Sequence, residues 1–215
     1  MPSARIRAPI VQAMKRAQTG FTVLELMLVV TIAGILLGIG IPAMGNIIRS
    51  ARITGAANDV MAGLHFTRSE AIKRRNPVTL CTSTDPLAAN PVCTASAFLT
   101  GWIAFVDSIP AGAPNGQRDA GETVLLQHEL MPATIIGRST TNPLLVTYRD
   151  TGFASNAGGT SLVLCDERGN VSSGGELSAA RGILISVTGR AGVTRDPGEI
   201  QTLITAIGGP IAGCT

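Results

Sequence analysis

The feature that most constrains this chain is an apolar run near its N-terminus, residues 20–41, which reads GFTVLELMLVVTIAGILLGIGI. From Phe21 onward it has the roughly 20 residues that a helix needs to cross a bilayer core. Glu25 is the only ionisable residue within it. A carboxylate inside hydrocarbon is costly, so such a residue usually faces a partner or a polar cavity. No basic residue follows within two helical turns, and the partner of Glu25 must therefore come from elsewhere.

The residues before this run form a short basic leader. Four of the 17 basic residues lie there without any acid, which leaves 13 basic against 14 acidic residues in the rest; the four are Arg5, Arg7, Lys15 and Arg16. A basic leader ahead of a nearly neutral body indicates targeting and not nucleic-acid binding. No small-x-small cleavage site closes the apolar run. The simplest alternative is therefore an uncleaved anchor with its basic side in the cytoplasm.

A cut between Gly20 and Phe21 would create an α-amino group one helical turn before Glu25. The sequence Gly20-Phe21-Thr22-x-x-Glu25 ahead of an apolar run resembles the class III signal of type IV pilins and type II secretion pseudopilins. The resemblance implies that a prepilin peptidase cuts after Gly20 and that Phe21 is N-methylated. It also implies that Glu25 sets the register against the N-terminus of a neighbouring subunit. Pro42 matches a proline that bends or locally melts the helix, because it removes a backbone donor.

The same resemblance implies a location and partners. We expect a single-pass protein of the bacterial inner membrane with a periplasmic globular domain, which then joins a pilus or pseudopilus. Its helix would contact other pilins or pseudopilins. Met14 begins MKRAQTG, the usual short leader of this family, so translation is expected to start at either Met1 or Met14.

Beyond Pro42 the helical pattern resumes, and Pro77 predicts its end near residue 75 or 76. The predicted organisation is a leader (1–20), a transmembrane or filament-core helix (21–42), an amphipathic helix (43–76) and a β-rich globular domain (77–215). Four basic residues close the helix: Arg68, Lys73, Arg74 and Arg75. We favour a solvated helix end for them, stabilised by the helix dipole, over a contact with DNA or acidic lipid.

Short strand patterns bounded by Gly, Pro, Asn or Asp follow from residue 77. They are predicted at residues 78–81, 101–107, 123–130, 134–136, 144–148, 161–165 and 182–187, without a helical pattern between them. The predicted fold class is therefore α+β: a long N-terminal helix, transmembrane in its first half, packed on an antiparallel β-sheet domain of the pilin type.

Several later motifs resemble the GspH/FimT group of minor pilins and pseudopilins. They are Arg68-Ser69-Glu70-Ala71, Leu80-Cys81, Gly101-Trp102-x-x-Phe105-x-Asp107, Cys165-Asp166-x-x-Gly169 and Gly189-Arg190. The resemblance implies a low-copy structural subunit at or near the tip of a type IV pilus or type II secretion pseudopilus.

The alternative function is a DNA-binding minor pilin that captures DNA for natural transformation. Some members on the FimT side carry a Gly-Arg-x-Arg motif near the C-terminus that contacts phosphate. Here Gly189 and Arg190 match, but position 192 is Gly and the next basic residue is Arg195. Two separated arginines give a weak electrostatic footprint, so a glycine turn between two strands is favoured.

Four cysteines all follow the apolar run. An even number downstream of an export segment predicts two disulfides in an oxidising compartment. The expected pairs are Cys81–Cys93, which would close a small loop at a strand end, and Cys165–Cys214, which would hold down the glycine-rich tail. Four reduced, buried thiols are the alternative.

No catalytic, metal or cofactor site is predicted. His65 and His128 are isolated, and the sequence has no nucleophile elbow, phosphate-binding glycine loop or paired metal spacing. The loop from Asp107 to Glu122 lacks the ligand spacing and glycine of a helix–loop–helix calcium site. A mobile, turn-rich loop is expected there.

Overall fold

The computed structural model describes residues 20–94, 101–108, 114–129, 131–141, 144–155, 160–171 and 177–209, with the backbone alone for 41–43. Within these residues, one long helix comes first, eight strands follow, and a short helix comes last. Their bounds are α1 (Val23–Arg74), β1 (Val78–Thr82), β2 (Trp102–Val106), β3 (Val124–His128), β4 (Ile136–Ser139), β5 (Leu145–Tyr148), β6 (Thr160–Cys165), β7 (Arg181–Ile185), β8 (Ala191–Thr194) and α2 (Pro197–Ala206).

Helix α1 has recognisable start and stop signals. The Glu25 N–H donates to the Thr22 hydroxyl oxygen at 3.2 Å, which is an N-cap contact. Arg75 adopts a left-handed conformation (φ 53°) just past the last helical residue, as a helix C-terminus often requires. The chain divides into two compact units, residues 1–45 and 46–215, and α1 contributes to both.

Within the second unit, α1 buries one stripe of residues that recur every one or two helical turns. The stripe consists of Ile53, Ala56, Ala57, Val60, Leu64 and Ala71. This spacing places the side chains on one face of a helix, which is the pattern of a helix covering a sheet. The stripe shares one hydrophobic core with Leu80 and Trp102 of the first sheet and Leu162 and Ile183 of the second.

Two four-stranded antiparallel sheets complete this unit. The first has the order β3-β2-β1-β5 and the second β4-β6-β7-β8. The prediction of an α+β fold with a long N-terminal helix and antiparallel sheets is confirmed. The register alternates side chains across β6, so that Leu162 and Leu164 join the main core while Val163 and Cys165 face α2.

The glycine turn between two strands that was favoured at Gly189 is confirmed, because Gly189 lies between β7 and β8, whereas helix α2 was not predicted. Strand β8 follows a turn whose Gly189 has φ +77°, and α2 packs Ile200, Leu203 and Ile204 on the outer face of the second sheet. Strand β4 also lies later than expected, because residues 133–134 form a turn and pairing with β6 begins at Ile136.

Candidate assembly site at the helix N-terminus

The predicted cleavage position lies in a short exposed segment. Gly20, Phe21 and Thr22 are exposed and precede the first helical residue, Val23. The Phe21 side chain is 79% exposed. A peptide bond outside regular structure is open to a protease, since the chain can adopt the extended form that proteases bind.

The first turn of α1 brings Glu25 close to this segment. Thr22 and Glu25 stand at the N-cap and third helical positions, the spacing of a capping box. No hydrogen bond or ion pair to the Glu25 carboxylate is found among the described residues. The carboxylate lies in the first turn of α1, at the positive end of the helix dipole.

Downstream of Glu25, the helix surface is apolar and open. The large apolar side chains from Leu24 to Ile39 are all at least half exposed. The Thr31 hydroxyl is satisfied within the helix by the Met27 carbonyl oxygen at 2.7 Å. This segment is apolar enough to cross a membrane, with a mean hydropathy of 2.4 over its best window and none of that window buried. Pro42 lies within the helical span of α1.

The predicted disulfide Cys81–Cys93 is present and links β1 to the loop that follows it. The partner predicted for Cys165, Cys214, lies outside the described residues. Cys165 is buried in β6 and is not a free thiol.

The structure does not bring the two predicted DNA-binding arginines together. Arg190 precedes β8 and Arg195 follows it, so they flank opposite ends of the strand. Burial lowers the pKa of Arg181, and the nearby cations Arg195 and Arg168 lower it further. Because Thr194 pairs with Gly182, Arg195 lies near Arg181, at the end of β8 away from Arg190.

Arg190 instead belongs to the turn that touches the end of α1. Arg68 donates from Nε to the Gly152 carbonyl oxygen at 3.0 Å and from Nη2 to the Thr188 carbonyl oxygen at 3.2 Å. Burial raises the pKa of Tyr148, which packs against the same turn, to about 12, with Arg68 opposing this shift. Arg68 thus connects α1 to the β7–β8 turn, which Arg190 directly follows.

The loop after β2 is held by its own carboxylates. Buried Asp107 accepts from the Thr79 hydroxyl at 2.6 Å and from the N–H groups of Asn115 and Gly116 at 3.0 and 2.9 Å. Glu122 accepts from the Ser108 N–H at 2.9 Å. These hydrogen bonds hold the described part of the loop against β1 and β2.

Other polar groups of the described residues do not converge on a reaction centre. His128 stacks on buried Trp102 with ring centroids 3.8 Å apart, and its Nε2 lies 3.9 Å from the Asp59 carboxylate. His65 is exposed on α1. In the described part of the chain, no three His, Cys, Asp or Glu residues cluster as metal ligands would.

Comparisons with known proteins agree with the site at the N-terminus. The family model described as type II transport protein GspH matches residues 56–189, and the model of the prokaryotic N-terminal methylation motif matches residues 15–41. No curated protein matches the chain. Two crystal structures of the type IV minor pilin FimU from Pseudomonas aeruginosa PAO1 show 18% and 17% identity, with TM-scores of 0.41 and 0.39. They cover 68% and 65% of this chain and 90% of their own. Because the GspH model spans more than half of the sequence, the protein belongs to the type II transport protein GspH family.

Proposed function

We propose that this membrane-anchored minor pilin or pseudopilin is cut by a prepilin peptidase between Gly20 and Phe21 and then assembled through α1. The observation that carries the proposal is a single carboxylate, Glu25, one turn after the cut, at the head of an exposed apolar helix. The apolar surface would be stored in the bilayer and then packed against other subunits.

Processing is supported by the exposed, non-helical segment at residues 20–22. A cut there leaves the new α-amino group of Phe21 at the helix start, where N-methylation would follow. Intact-mass analysis of the chain purified from its membrane tests this directly. We expect a mass that begins at methylated Phe21, and a chain that begins anywhere else would refute the processing step.

Glu25 has two roles to separate, because a glutamate at this position also suits a capping box and the helix dipole. Glu25→Gln keeps a side chain that can cap but removes the charge that would pair with the N-terminal amine of a neighbour. Thr22→Ala is the matched control, since it removes the cap and keeps the charge.

We expect Glu25→Gln to reduce incorporation into filaments about tenfold or more, as the loss of a charge-assisted hydrogen bond implies. Thr22→Ala should reduce it much less. The readout is the ratio of filament-bound to membrane-bound subunit in sheared fractions. Equal incorporation of Glu25→Gln and wild type would remove the pairing role.

The orientation we propose is a single pass through the inner membrane with the second unit in the periplasm. Lys15 and Arg16 precede the apolar helix and favour the cytoplasmic side. The Cys81–Cys93 disulfide suits an oxidising compartment. Protease added to spheroplasts should digest the region after Pro42 while the apolar helix before it stays protected, and a region after Pro42 that resists digestion until the membrane is opened would contradict this orientation.

We propose further that Pro42 allows α1 to bend during packing, because proline lacks a backbone N–H donor. We also propose that the subunit is a low-copy component at or near the filament tip. Quantitative mass spectrometry of purified filaments tests the low copy number. A few copies per filament are expected, and an abundance equal to that of the main subunit would exclude a tip role.

DNA capture remains a second candidate because Arg190 directly follows the turn that the basic end of α1 contacts. Arg68 of α1 contacts the β7–β8 turn through its hydrogen bond to the Thr188 carbonyl oxygen. Arg149, another basic residue, directly follows β5, the strand that pairs with β1. Arg195 lies at the other end of β8 and is expected to contribute little. Binding of duplex DNA should fall with salt and weaken in Arg190→Ala but not in Arg195→Ala. DNA binding whose affinity does not change with salt concentration, or no binding at all, would exclude DNA capture as a function.

A further inference from the structure

A cleft opens beside α1 at the end of the second unit where the helix enters it. The cleft has a volume of about 540 Å³ and is lined by Arg49 and Arg52 of α1, residues 133–136 at the start of β4, and Asp166 and Glu167 after β6. Ile136 pairs with Cys165, so β4 begins and β6 ends at this end of the second sheet. All the lining residues belong to the second unit.

Both carboxylates of this cleft already have a cation, and one arginine is left over. Arg168 donates from Nε to both Asp166 carboxylate oxygens at 3.0 Å. The Arg49 Nη2 atom lies 2.7 Å from Glu167 Oε1. Arg52 is exposed, and no hydrogen bond or ion pair to its guanidinium is found within the described part of the chain. The cleft therefore carries one positive charge that lacks a counter-ion.

Buried Arg181, on the neighbouring strand β7, adds to this positive charge. Its guanidinium donates to backbone carbonyl oxygens and to the Thr54 hydroxyl at 3.0 Å, so its hydrogen bonds leave its charge without a carboxylate. Burial lowers the pKa of Arg181, and Arg195 and Arg168 lower it further, although Asp166 opposes them. Cations thus outnumber carboxylates at this end of the second sheet, and their field favours a bound anion.

The two arginines of α1 begin where its apolar surface ends. Ile47 and Ile48 are 67% and 47% exposed, so apolar surface continues to the residue before Arg49. From Val23 to Ile48 a helix rises about 38 Å at about 1.5 Å per residue, close to the roughly 40–45 Å of a bilayer with its headgroup layers. When α1 spans the membrane, Arg49 and Arg52 therefore lie within reach of the lipid headgroups.

We propose that this cleft binds the phosphate of an anionic phospholipid in the membrane that anchors α1. Arg52 supplies the main cation, because a free guanidinium donates two parallel hydrogen bonds to phosphate oxygens. Arg49 is the second cation, since its ion pair with Glu167 is exposed on both sides and is weak in water. The apolar surface of Ile136 in the cleft suits a lipid better than free phosphate.

The bound lipid would hold the second unit against the membrane until the subunit leaves for the filament. This inference rests on the membrane anchoring proposed above, but it requires neither processing at Gly20 nor assembly through Glu25. Intact mass and protease protection test processing and orientation without any reference to lipid binding. Either proposal can therefore fail while the other holds.

Native mass spectrometry of the full chain in detergent micelles tests the site, with anionic phosphatidylglycerol and zwitterionic phosphatidylcholine as the added lipids. Wild type should bind phosphatidylglycerol about fivefold more tightly or better. Arg52→Gln should lower this affinity about fivefold, the effect of one arginine near an anionic surface, whereas Arg52→Lys should keep most of it. Arg149→Gln is the matched control, because it removes the same charge from an exposed site near the opposite end of α1, where Arg68 contacts the same turn. It should bind as wild type does.

Removal of a carboxylate and addition of free phosphate provide two further arms. Glu167→Gln releases Arg49 from its ion pair and should raise the affinity for phosphatidylglycerol about twofold or more. Inorganic phosphate at millimolar concentration should leave the lipid bound. The proposal is overturned if wild type binds both lipids equally, if Arg52→Gln binds as Arg149→Gln does, or if inorganic phosphate displaces the lipid. A loss of affinity in Glu167→Gln would overturn the role of Arg49.

Discussion

The two halves of α1 share one backbone conformation but not one source of stability. Its residues in the first unit expose large apolar side chains all around, as at Leu24 and Leu36. Its residues in the second unit bury a single stripe, including Val60 and Leu64, and leave the opposite face polar. An all-round apolar helix needs a surrounding of lipid or other helices, whereas a striped one needs only a sheet.

This contrast assigns the two halves to different tasks. The stripe folds the second unit, so its residues should govern the free energy of unfolding. The apolar half has no covering surface among the described residues, so its residues should govern insertion and assembly. Paired substitutions, one expected to affect the folded second unit and one expected to leave it unchanged, test this difference.

The largest effect is expected for Leu64→Ala. Leu64 is 1% exposed in the main core, and removing its side chain should cost the second unit about 3–4 kcal/mol. Leu36→Ala, at a side chain that is 66% exposed, should change that free energy by less than about 0.5 kcal/mol. Urea unfolding followed by the fluorescence of Trp102, the one tryptophan, measures both. Equal losses would show that the halves do not differ as described.

The next largest effect is expected from a comparison of two glycines, Gly189 just before β8 and Gly192 within it. Gly189→Ala should cost about 2–3 kcal/mol, because φ is +77° and the new Cβ would collide with the Gly152 carbonyl oxygen. Gly192→Ala should be neutral or stabilising by up to about 0.5 kcal/mol, since its Cβ enters open space. The same unfolding assay applies. A large loss at Gly192 would mean that the fold itself requires this glycine.

The sequence predicted what depends on local pattern. The helix stripe, most strands, the Cys81–Cys93 disulfide and the α+β class follow from spacing and turn residues, and the structure confirms them. The N-terminal signal is likewise contiguous, so the residue pattern alone was enough to single out Gly20, Phe21 and Glu25 as candidates.

The sequence analysis missed a short helix and the separation of two arginines. Helix α2 is short and begins in a glycine- and proline-rich stretch, which hides its helical pattern. Its signal was present, because Asp196-Pro197-x-Glu199 forms an N-cap followed by Ile200 and Leu203 on one face. Arg190 and Arg195 are close in sequence, but an extended strand of four residues separates them by about 17 Å at 3.4 Å per residue.

The N-caps of the two helices provide an intermediate test. The Glu199 N–H donates to Asp196 at 2.8 Å, so Asp196→Ala should cost the second unit about 1 kcal/mol. Thr22→Ala removes the corresponding cap of α1 but lies in the other unit, and it should leave that unfolding free energy unchanged. Loss of helical signal in far-ultraviolet circular dichroism would accompany the first change. An unaffected Asp196→Ala would show that packing alone holds α2.

The smallest change in the free energy of unfolding is expected when two glutamates of α1, Glu70 and Glu25, are compared. Hydrogen bonds from Arg74, and then from Lys73, lower the pKa of Glu70 despite burial. Because the folded pKa lies below the unfolded value of 4.5, this pairing stabilises the fold above about pH 4.5 and is lost as pH falls through the folded pKa.

Arg74 is 41% and Lys73 76% exposed, so solvent screens both ion pairs, and Glu70→Gln should cost only about 0.5 kcal/mol at pH 7. The difference from wild type should be smaller at pH 3 than at pH 7, because the ion pairs are lost as pH falls through the lowered pKa of Glu70. Glu25→Gln should leave the free energy of unfolding of the second unit unchanged at either pH, because Glu25 belongs to the first unit. Urea midpoints at the two pH values measure all three proteins. A pH-independent loss in Glu70→Gln would assign the effect to packing, and any loss in Glu25→Gln would couple the N-terminal charge to the folded unit.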